Sequence, residues 1–301
     1  MSEITKPYLR RAQVTIGPLE EWRGGGDERL AISLYGDGSM VGFRIKFYVH
    51  QHVISTATPT VIQVYNLSQG LRNQLQKPGI QIALLVGWYN TDMTLLFTGS
   101  ILATVNKRQG PDIVTTIMSN AAFGGLSRTV ISQTWASGTS VKNIVQSLAK
   151  KIPSCTVDPK NISVSNTKRM GSQGWSFAGP VNEALDKLSR VYGFSWRVEN
   201  KVFYAIDNGT ALKTGIKPVI STKSGWLLRA EPMLAGPMQQ RAGVSIHSLL
   251  NPLIRPGGLL TLESDLNPSL NRDYVVHNVS HSGDTHGQDW STHIESWVVV
   301  G

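Results

Sequence analysis

The chain has 301 residues, of which 29 are Lys or Arg and 20 are Asp or Glu, for a formal net charge of +9, and 41% are hydrophobic while only 16% are charged. That length accommodates two or three domains of about 100–150 residues, and the hydrophobic content excludes global disorder. No run approaches the ~20 apolar residues needed to cross a bilayer, and residues 1–6 lack a secretory h-region, which predicts a soluble chain made without Sec export.

Residues 1–120 read as short strands with period-two alternation. Phe43, Ile45, Phe47 and Val49 alternate with Arg44, Lys46, Tyr48 and His50, placing one face in a core and one in water. Further strands are predicted at 60–67, 80–89, 94–105 and 113–119, and this regular spacing favours a small barrel or sandwich. Ser68 to Gly79 reads as a short helix or turn closed by Pro78-Gly79. After residue 120 the period changes. Val141, Ile144, Val145, Leu148 and Ile152 follow helical spacing, with Thr139 or Ser140 as N-cap and Pro153 as a stop. A second helix starts at Pro180, keeps Val181, Ala184, Leu185, Leu188 and Val191 on one face, and ends at Gly193. A hairpin follows, with Phe194, Trp196 and Val198 in one arm, a Glu199-Asn200-Lys201 turn, and Val202, Tyr204 and Ile206 in the other. From about residue 216 the short strands return.

An internal echo links the two ends. Pro78-Gly79-Ile80-Gln-Ile-Ala-Leu84 resembles Pro256-Gly257-Gly258-Leu-Leu-Thr-Leu262, and Gly110-Pro-Asp-Ile-Val-Thr-Thr-Ile117 resembles Gly287-Gln-Asp-Trp-Ser-Thr-His-Ile294. The intervals agree, 31 residues from Gly79 to Gly110 and 30 from Gly257 to Gly287. Each pair alone is an ordinary turn signal; together, in the same order, they predict two related β-domains around a different middle one.

Catalytic and metal chemistry are weighed against simpler readings. His277, His281, His286 and His293 lie near Asp284 and Asp289, but His277 and His281 are four apart in a strand, about 13 Å at ~3.3 Å per residue, too far to share one ion. Ser282 to Gly287 reads as a turn, with Gly283 and Gly287 at unusual φ angles and Asp284 bonding its own backbone. Ser147-Leu-Ala-Lys150 and Lys213-Thr-Gly215 match two elements of a penicillin-binding-type serine enzyme, yet the S-D-N element is missing and the two stand too close together. Glu183 and Asp186 read as the solvated face of a helix rather than a glycosidase pair. Gly24-Gly-Gly26 opens no helix and reads as a flexible loop, while Trp88, Trp196, Trp226 and Trp290 sit in apolar strand contexts and read as core. Cys155 is the only cysteine, so no intrachain disulfide forms, and it reads as a small buried residue. No cofactor and no metal are expected. The charge concentrates in the middle: residues 1–120 carry 11 basic and 8 acidic groups, 121–215 carry 12 and 5, and 216–301 carry 6 and 7.

The order Val64-Tyr-Asn-Leu-Ser68, Leu84-Leu-Val-Gly-Trp-Tyr89, Leu96-Phe-Thr-Gly-Ser-Ile101 and Arg108-Gln-Gly-Pro-Asp-Ile113 resembles the first domain of baseplate hub proteins of contractile-tailed bacteriophages. Asn182-Glu-Ala-Leu-Asp-Lys-Leu188, Tyr192-Gly-Phe-Ser-Trp-Arg-Val198, Arg255-Pro-Gly-Gly258, Tyr274-Val-Val-His-Asn-Val279 and Ser282-Gly-Asp-Thr-His-Gly-Gln-Asp-Trp290 resemble later parts of the same family. The resemblance implies a mainly β fold with an α+β insertion: a tail-tube-like β-barrel over 1–120, a helix-plus-hairpin domain over 121–215, and a second such barrel over 216–301. It implies a virion protein, a homotrimer joining the sixfold tail tube to a threefold central spike, in contact with other baseplate proteins and with DNA only as it passes through a channel. A tail-associated cell-wall-degrading or carbohydrate-binding protein, and a basic nucleic-acid-binding protein, are the alternative readings. If the barrels ring the channel, the basic middle domain lies outside the DNA path, and Lys150, Lys151, Lys168 and Arg169 become candidates for a surface that meets an acidic neighbour.

Overall fold

The computed structural model describes residues 10–18, 32–37, 42–54, 60–77, 79–88, 92–121, 129–153, 155–212, 216–233 and 242–298. The first third forms β1 (Arg10–Pro18), β2 (Ile32–Gly36), β3 (Ile45–His52), β4 (Thr60–Tyr65), α1 (Gln69–Leu75), β5 (Ile80–Trp88), β6 (Thr94–Gln109) and β7 (Asp112–Asn120). Buried residues alternate from Ile45 to Val49 on β3 and from Thr60 to Val64 on β4, as the period-two pattern dictates, since successive side chains leave opposite faces.

The middle third contains β8 (Val130–Trp135), α2 (Val141–Ala149), β9 (Ile162–Ser163), β10 (Trp175–Pro180), α3 (Val181–Tyr192), β11 (Phe194–Glu199) and β12 (Val202–Asp207). Both helices bury most of the residues that helical spacing selects: Val141, Ile144, Val145 and Leu148 on α2, and Val181, Ala184, Leu185 and Leu188 on α3; Val191, expected on the same face, is instead 75% exposed in the last turn of α3, beyond the reach of the core. Ser140 occupies the N-cap position of α2 without a side-chain capping bond, the helix ends four residues before Pro153, and Gly193 closes α3 with φ +63°, the left-handed conformation glycine adopts without strain. The β11–β12 hairpin turns on Asn200 and Lys201, both at positive φ, as a two-residue turn that follows strand twist requires. Strands β8, β9 and β10 carry no strong periodicity and are absent from the sequence expectation. Ile131, Phe177, Trp196 and Phe203 complete a core around the two helices.

The last third forms β13 (Val219–Ser221), β14 (Leu227–Met233), β15 (Gly243–Leu249), β16 (Leu259–Glu263), β17 (Arg272–Asp284) and β18 (Trp290–Val298). Strands from the two ends of the chain share one sheet with the path β14-β15-β18-β17-β3-β4-β7-β6-β5-β1-β2, plus β16 beside β17 and β13 beside β16. The architecture is therefore mainly β with an α+β insertion. Among the described residues the sheet path is open.

The internal echo is visible strand by strand. The first unit has the spatial order β3-β4-β7-β6-β5 and the second β14-β15-β18-β17-β16, the same order in the same chain sequence. Thr104, Ile117, Ile62 and Phe47 form one row across the first unit; Val279, Ile294, Ile246 and Ala230 form the matching row of the second. Ile117 and Ile294 are the two isoleucines that end the echoed segments. Each unit has a bulge at the same place, between Ile101 and Ala103 on β6 and between Val276 and Asn278 on β17. Gly79 and Gly257, at φ +80° and +73°, lead into β5 and β16. Each unit also has its own buried cluster, around Ile45, Ile62, Leu84 and Ile117 in the first and Val244, Ile246, Leu260 and Tyr274 in the second.

Gly257 also abuts the middle domain, where a Cβ would overlap the end of the Ile206 side chain. Gly257→Ala is expected to cost about 1–2 kcal/mol from the left-handed backbone alone, read as a lowered unfolding midpoint. Gly70→Ala, inside α1 with open space around it, is expected to stabilise by ~0.5–1 kcal/mol in the same measurement.

Candidate functional site

Four chain segments meet at a buried ion cluster. Glu199, the last residue of β11, is about 5% exposed and accepts from Arg197 Nε at 3.0 Å and from Arg255 Nη1 at 2.5 Å. Gln51 Nε2 on β3 donates to the same carboxylate at 3.3 Å and to the Leu96 carbonyl at 3.2 Å. The guanidiniums reach outward in turn, Arg197 to the Pro256 carbonyl at 2.8 Å and Arg255 to the Leu95 carbonyl at 2.9 Å. Beside them Asn200 Oδ1, at the tip of the hairpin, accepts from the Thr98 amide at 2.8 Å. The β11–β12 hairpin is thus plugged into both sheet units. Burial pushes the Glu199 carboxyl up, but Arg197 and Arg255 outweigh it and hold the group below its ordinary range. Read from sequence, Glu199 is part of a polar turn; its partner Arg255 lies 56 positions away and no local pattern announces it.

The seam where the two units join is the β17–β3 pairing, in register from Asn278 opposite His52 to Asp284 opposite Lys46. Asp284 receives Arg44 through both carboxylate oxygens, at 3.1 and 2.7 Å, and Lys46 at 3.2 Å. It also accepts from the His286 amide at 3.0 Å, the local bond expected of it. Gly283 and Gly287 differ from expectation, for neither has a positive φ. They are needed for space: a Cβ on Gly283 would strike the rings of Phe47 and Trp290, and one on Gly287 the Asp284 carboxylate. Trp290 meets Phe47 edge-on at 5.3 Å and Trp88 at 6.3 Å, and Trp88 meets Trp226 at 6.1 Å, so these tryptophans form core across the seam.

The four basic candidates fall into two places. Lys150 and Lys151 are exposed at the C-terminus of α2, whereas the Lys168 carbonyl and an Arg169–Ser140 bridge hold the other pair beside its N-terminus. The nine-residue helix sets the pairs about 13 Å apart along its axis. Lys168 is engaged internally, bonded to Asp207 at 2.7 Å and to the Gly193 carbonyl at 3.3 Å. Arg169 is exposed and donates to the Gly138 carbonyl at 3.0 Å.

The histidines also separate. His281 is fully buried with Nδ1 2.9 Å from Thr292 Oγ1, and burial lowers its pKa to about 3. His277 occupies the β17 bulge against His52 and Trp297, His286 contacts Thr285, and His293 lies near His247. Among the described residues no three potential ligands converge on one point. Ser147 bonds the Ile144 carbonyl within α2, while Lys213 to Gly215 and Gly24 to Gly26 lie outside the described residues. Glu183 is exposed, but Asp186 accepts from the indole of buried Trp196 at 2.9 Å, a structural role its helical position does not reveal. Cys155 is half-buried rather than buried, because it lies on an irregular segment at the edge of the middle core, and burial raises its pKa to about 11.

Removing the Glu199 charge leaves two guanidiniums facing each other, so Glu199→Gln is expected to destabilise the fold by about 3–5 kcal/mol in urea unfolding at neutral pH. Glu199 contributes its stability above about pH 4.3, the ordinary glutamate value, and loses it as pH falls through its lower folded value. His281 acts over a higher window: between about pH 6.5 and 3 the unfolded chain takes up a proton that the folded site refuses, so stability falls with pH. Unfolding of His281→Asn at pH 7 and pH 5 is expected to lack this part of the slope.

The sequence profile of the baseplate hub gp41 family matches residues 36–295. No curated protein matches the chain. Among solved structures, a tail protein from Neisseria meningitidis aligns with TM-score 0.59 and 10% identity, over 95% of this chain and 96% of that one. The 43 kDa tail protein of prophage MuSo2 from Shewanella oneidensis aligns with TM-score 0.58 and 10% identity, over 95% and 96%. An E. coli component of the type VI secretion system, described as structurally similar to T4 bacteriophage tail proteins gp27 and gp5, aligns with TM-score 0.58 and 10% identity, over 88% and 76%. These likenesses establish a shared fold, and the profile, spanning both five-stranded units and the domain between them, shows that the chain belongs to the baseplate hub gp41 family.

Proposed function

We propose that this protein is a structural hub of a contractile phage tail, a homotrimeric ring that joins the sixfold tail tube to the threefold central spike. One observation carries the reading: a single chain holds two five-stranded units with the same strand order, the same bulge and the same rows of facing residues. Three such chains present six quasi-equivalent units, which matches a sixfold ring on one side while the assembly keeps a threefold axis for the other. Such an adaptor works through complementarity of surfaces and needs no catalytic residue.

In this reading each unit contributes one tube-like barrel segment over 1–120 and 216–301, DNA meets the protein only in the ring's channel, and the domain over 121–215 faces other baseplate proteins. Lys150, Lys151 and Arg169 supply exposed positive charge there for an acidic neighbour. Lys168 shares the surface but spends its charge on Asp207.

Native mass spectrometry of the purified protein, alone and with its tube and spike neighbours, is expected to give a three-chain particle; a single-chain species in every mixture overturns the hub. Peptidoglycan incubated with the protein is expected to release no soluble fragments, and turnover abolished by Glu183→Gln would establish the enzymatic alternative instead. Reversing Lys150 and Lys151 to Glu is expected to leave the three-chain mass unchanged and to reduce incorporation into baseplates.

A further inference from the structure

The bulge that the two units share carries different residues. In β6 it is Leu102, which is exposed; in β17 it is His277, which packs against a second histidine. His52, the last residue of β3, meets the His277 ring edge-on at 4.6 Å, and His277 also lies 5.9 Å from the Trp297 ring. Both histidines are half-buried. They stand where the seam ends, for the register of β17 with β3 starts at Asn278 opposite His52, and the next amide, that of Val53, donates to the His277 carbonyl at 3.1 Å. With Val53 and Ile54, His277 lines a cleft of about 500 Å³ between the second unit and the end of β12.

One bond here depends on a protonation state. The Ile54 amide donates to His52 Nδ1 at 2.9 Å, so that nitrogen holds a lone pair and the neutral ring keeps its proton on Nε2. An imidazolium carries a proton on both nitrogens and accepts nothing. Charging His52 therefore sets two N–H groups against each other and breaks the turn that follows β3. The surroundings give the charge little support. On β3 itself, His50 shares the face of His52 and leaves its own Nδ1 buried without a partner among the described residues. On β18, Glu295 is occupied by Asn278 Nδ2 at 2.7 Å; on β11, Arg197 is itself a cation; and at the end of β12, Asp207, which lines the cleft, is paired with Lys168. Burial is the main reason that both rings resist a proton; His277, His50 and Arg197 add to it at His52, Glu295 opposes it at both, and His52 is pushed down to about 4.

We propose that His52 and His277 form an acid-released latch: while both rings are neutral they hold the end of β3 on the β17 bulge, and when His52 takes up a proton at Nδ1 residues 52–54 come away, leaving the seam from Lys46 to Gln51 paired. The sign follows from the two states. The released segment protonates at the ordinary histidine value of 6.5 and the latched one only at about 4, so the latched form loses stability against the released one as pH falls between those values. The device is local to the end of the seam and does not depend on how chains assemble.

Hydrogen exchange of the full chain, read by mass spectrometry on its peptides and corrected for the intrinsic exchange rate at each pH, reports the latch through the Val53 and Ile54 amides. Between pH 7.5 and pH 5.5 the opening equilibrium over 52–54 is expected to rise about tenfold in the wild-type protein. His52→Asn, whose Oδ1 accepts the same bond and takes up no proton, is expected to remove most of that rise while the peptides over 45–49 and 279–284 respond to acid as in the wild type. His52→Phe, which keeps a ring against His277 but has no acceptor, is expected to exchange fast over 52–54 at both pH values. The absence of a rise in the wild type overturns the latch whatever the variants do. A rise that persists at full size in His52→Asn assigns the acid response to another group and overturns it too, and wild-type protection in His52→Phe at pH 7.5 shows that the Nδ1 bond is not what holds the strand end.

Discussion

A long strand in a sheet must find a partner for every stretch of its edge, and β17 is longer than β16 can cover. Its 13 residues meet a five-residue neighbour, which leaves the backbone groups after the bulge without a mate in their own unit. β3, from the other end of the chain, takes that edge. Once it does so, the two units become one sheet, Asp284 comes within reach of Arg44 and Lys46, and Phe47 packs against Trp290. The bulge matters as much as the length, since it shifts the strand's twist at the point where one partner ends and the next begins.

The middle domain depends on a different kind of restraint. Its own core would hold α2, α3 and the hairpin together anywhere, but the Arg197–Glu199–Arg255 cluster determines where they sit. A buried carboxylate between two guanidiniums is expensive to desolvate and adds little net stability compared with apolar packing. Its geometry, however, is directional, and a misplaced hairpin would leave charges buried and unpaired. With Asn200 capping the Thr98 amide, the cluster makes the position of the insertion specific rather than merely favourable. The same economy explains why the formal charge of this domain overstates its surface field: Arg197 and Lys168 are both committed to internal carboxylates.

Most of the strands of the two units, both helices of the insertion and the β11–β12 hairpin were legible because each carries its own period. Val141 to Leu148 and Val181 to Leu188 bury the face that helical spacing selects, and burial alternates as the period predicts from Ile45 to Val49 on β3 and from Thr60 to Val64 on β4. β8, β9 and β10 were not legible, since β9 has two residues and β8 has mostly exposed or half-buried ones, so no apolar period accumulates. The turn expected over Ser282 to Gly287 begins only at Thr285, because Ser282, Gly283 and Asp284 are held in β17 between β3 and β18, and Gly283 and Gly287 avoid side-chain collisions invisible without the neighbouring strands.

By itself the sequence determined the two-unit plan, down to the register in which Ile117 matches Ile294, because strand and helix periods and turn residues are properties of neighbouring positions. Only the tertiary structure decided which strand edges are covered and which charges are spent. Arg44 and Asp284 are 240 positions apart, Arg255 and Glu199 are 56, and partners at such separations leave no period in the chain to read.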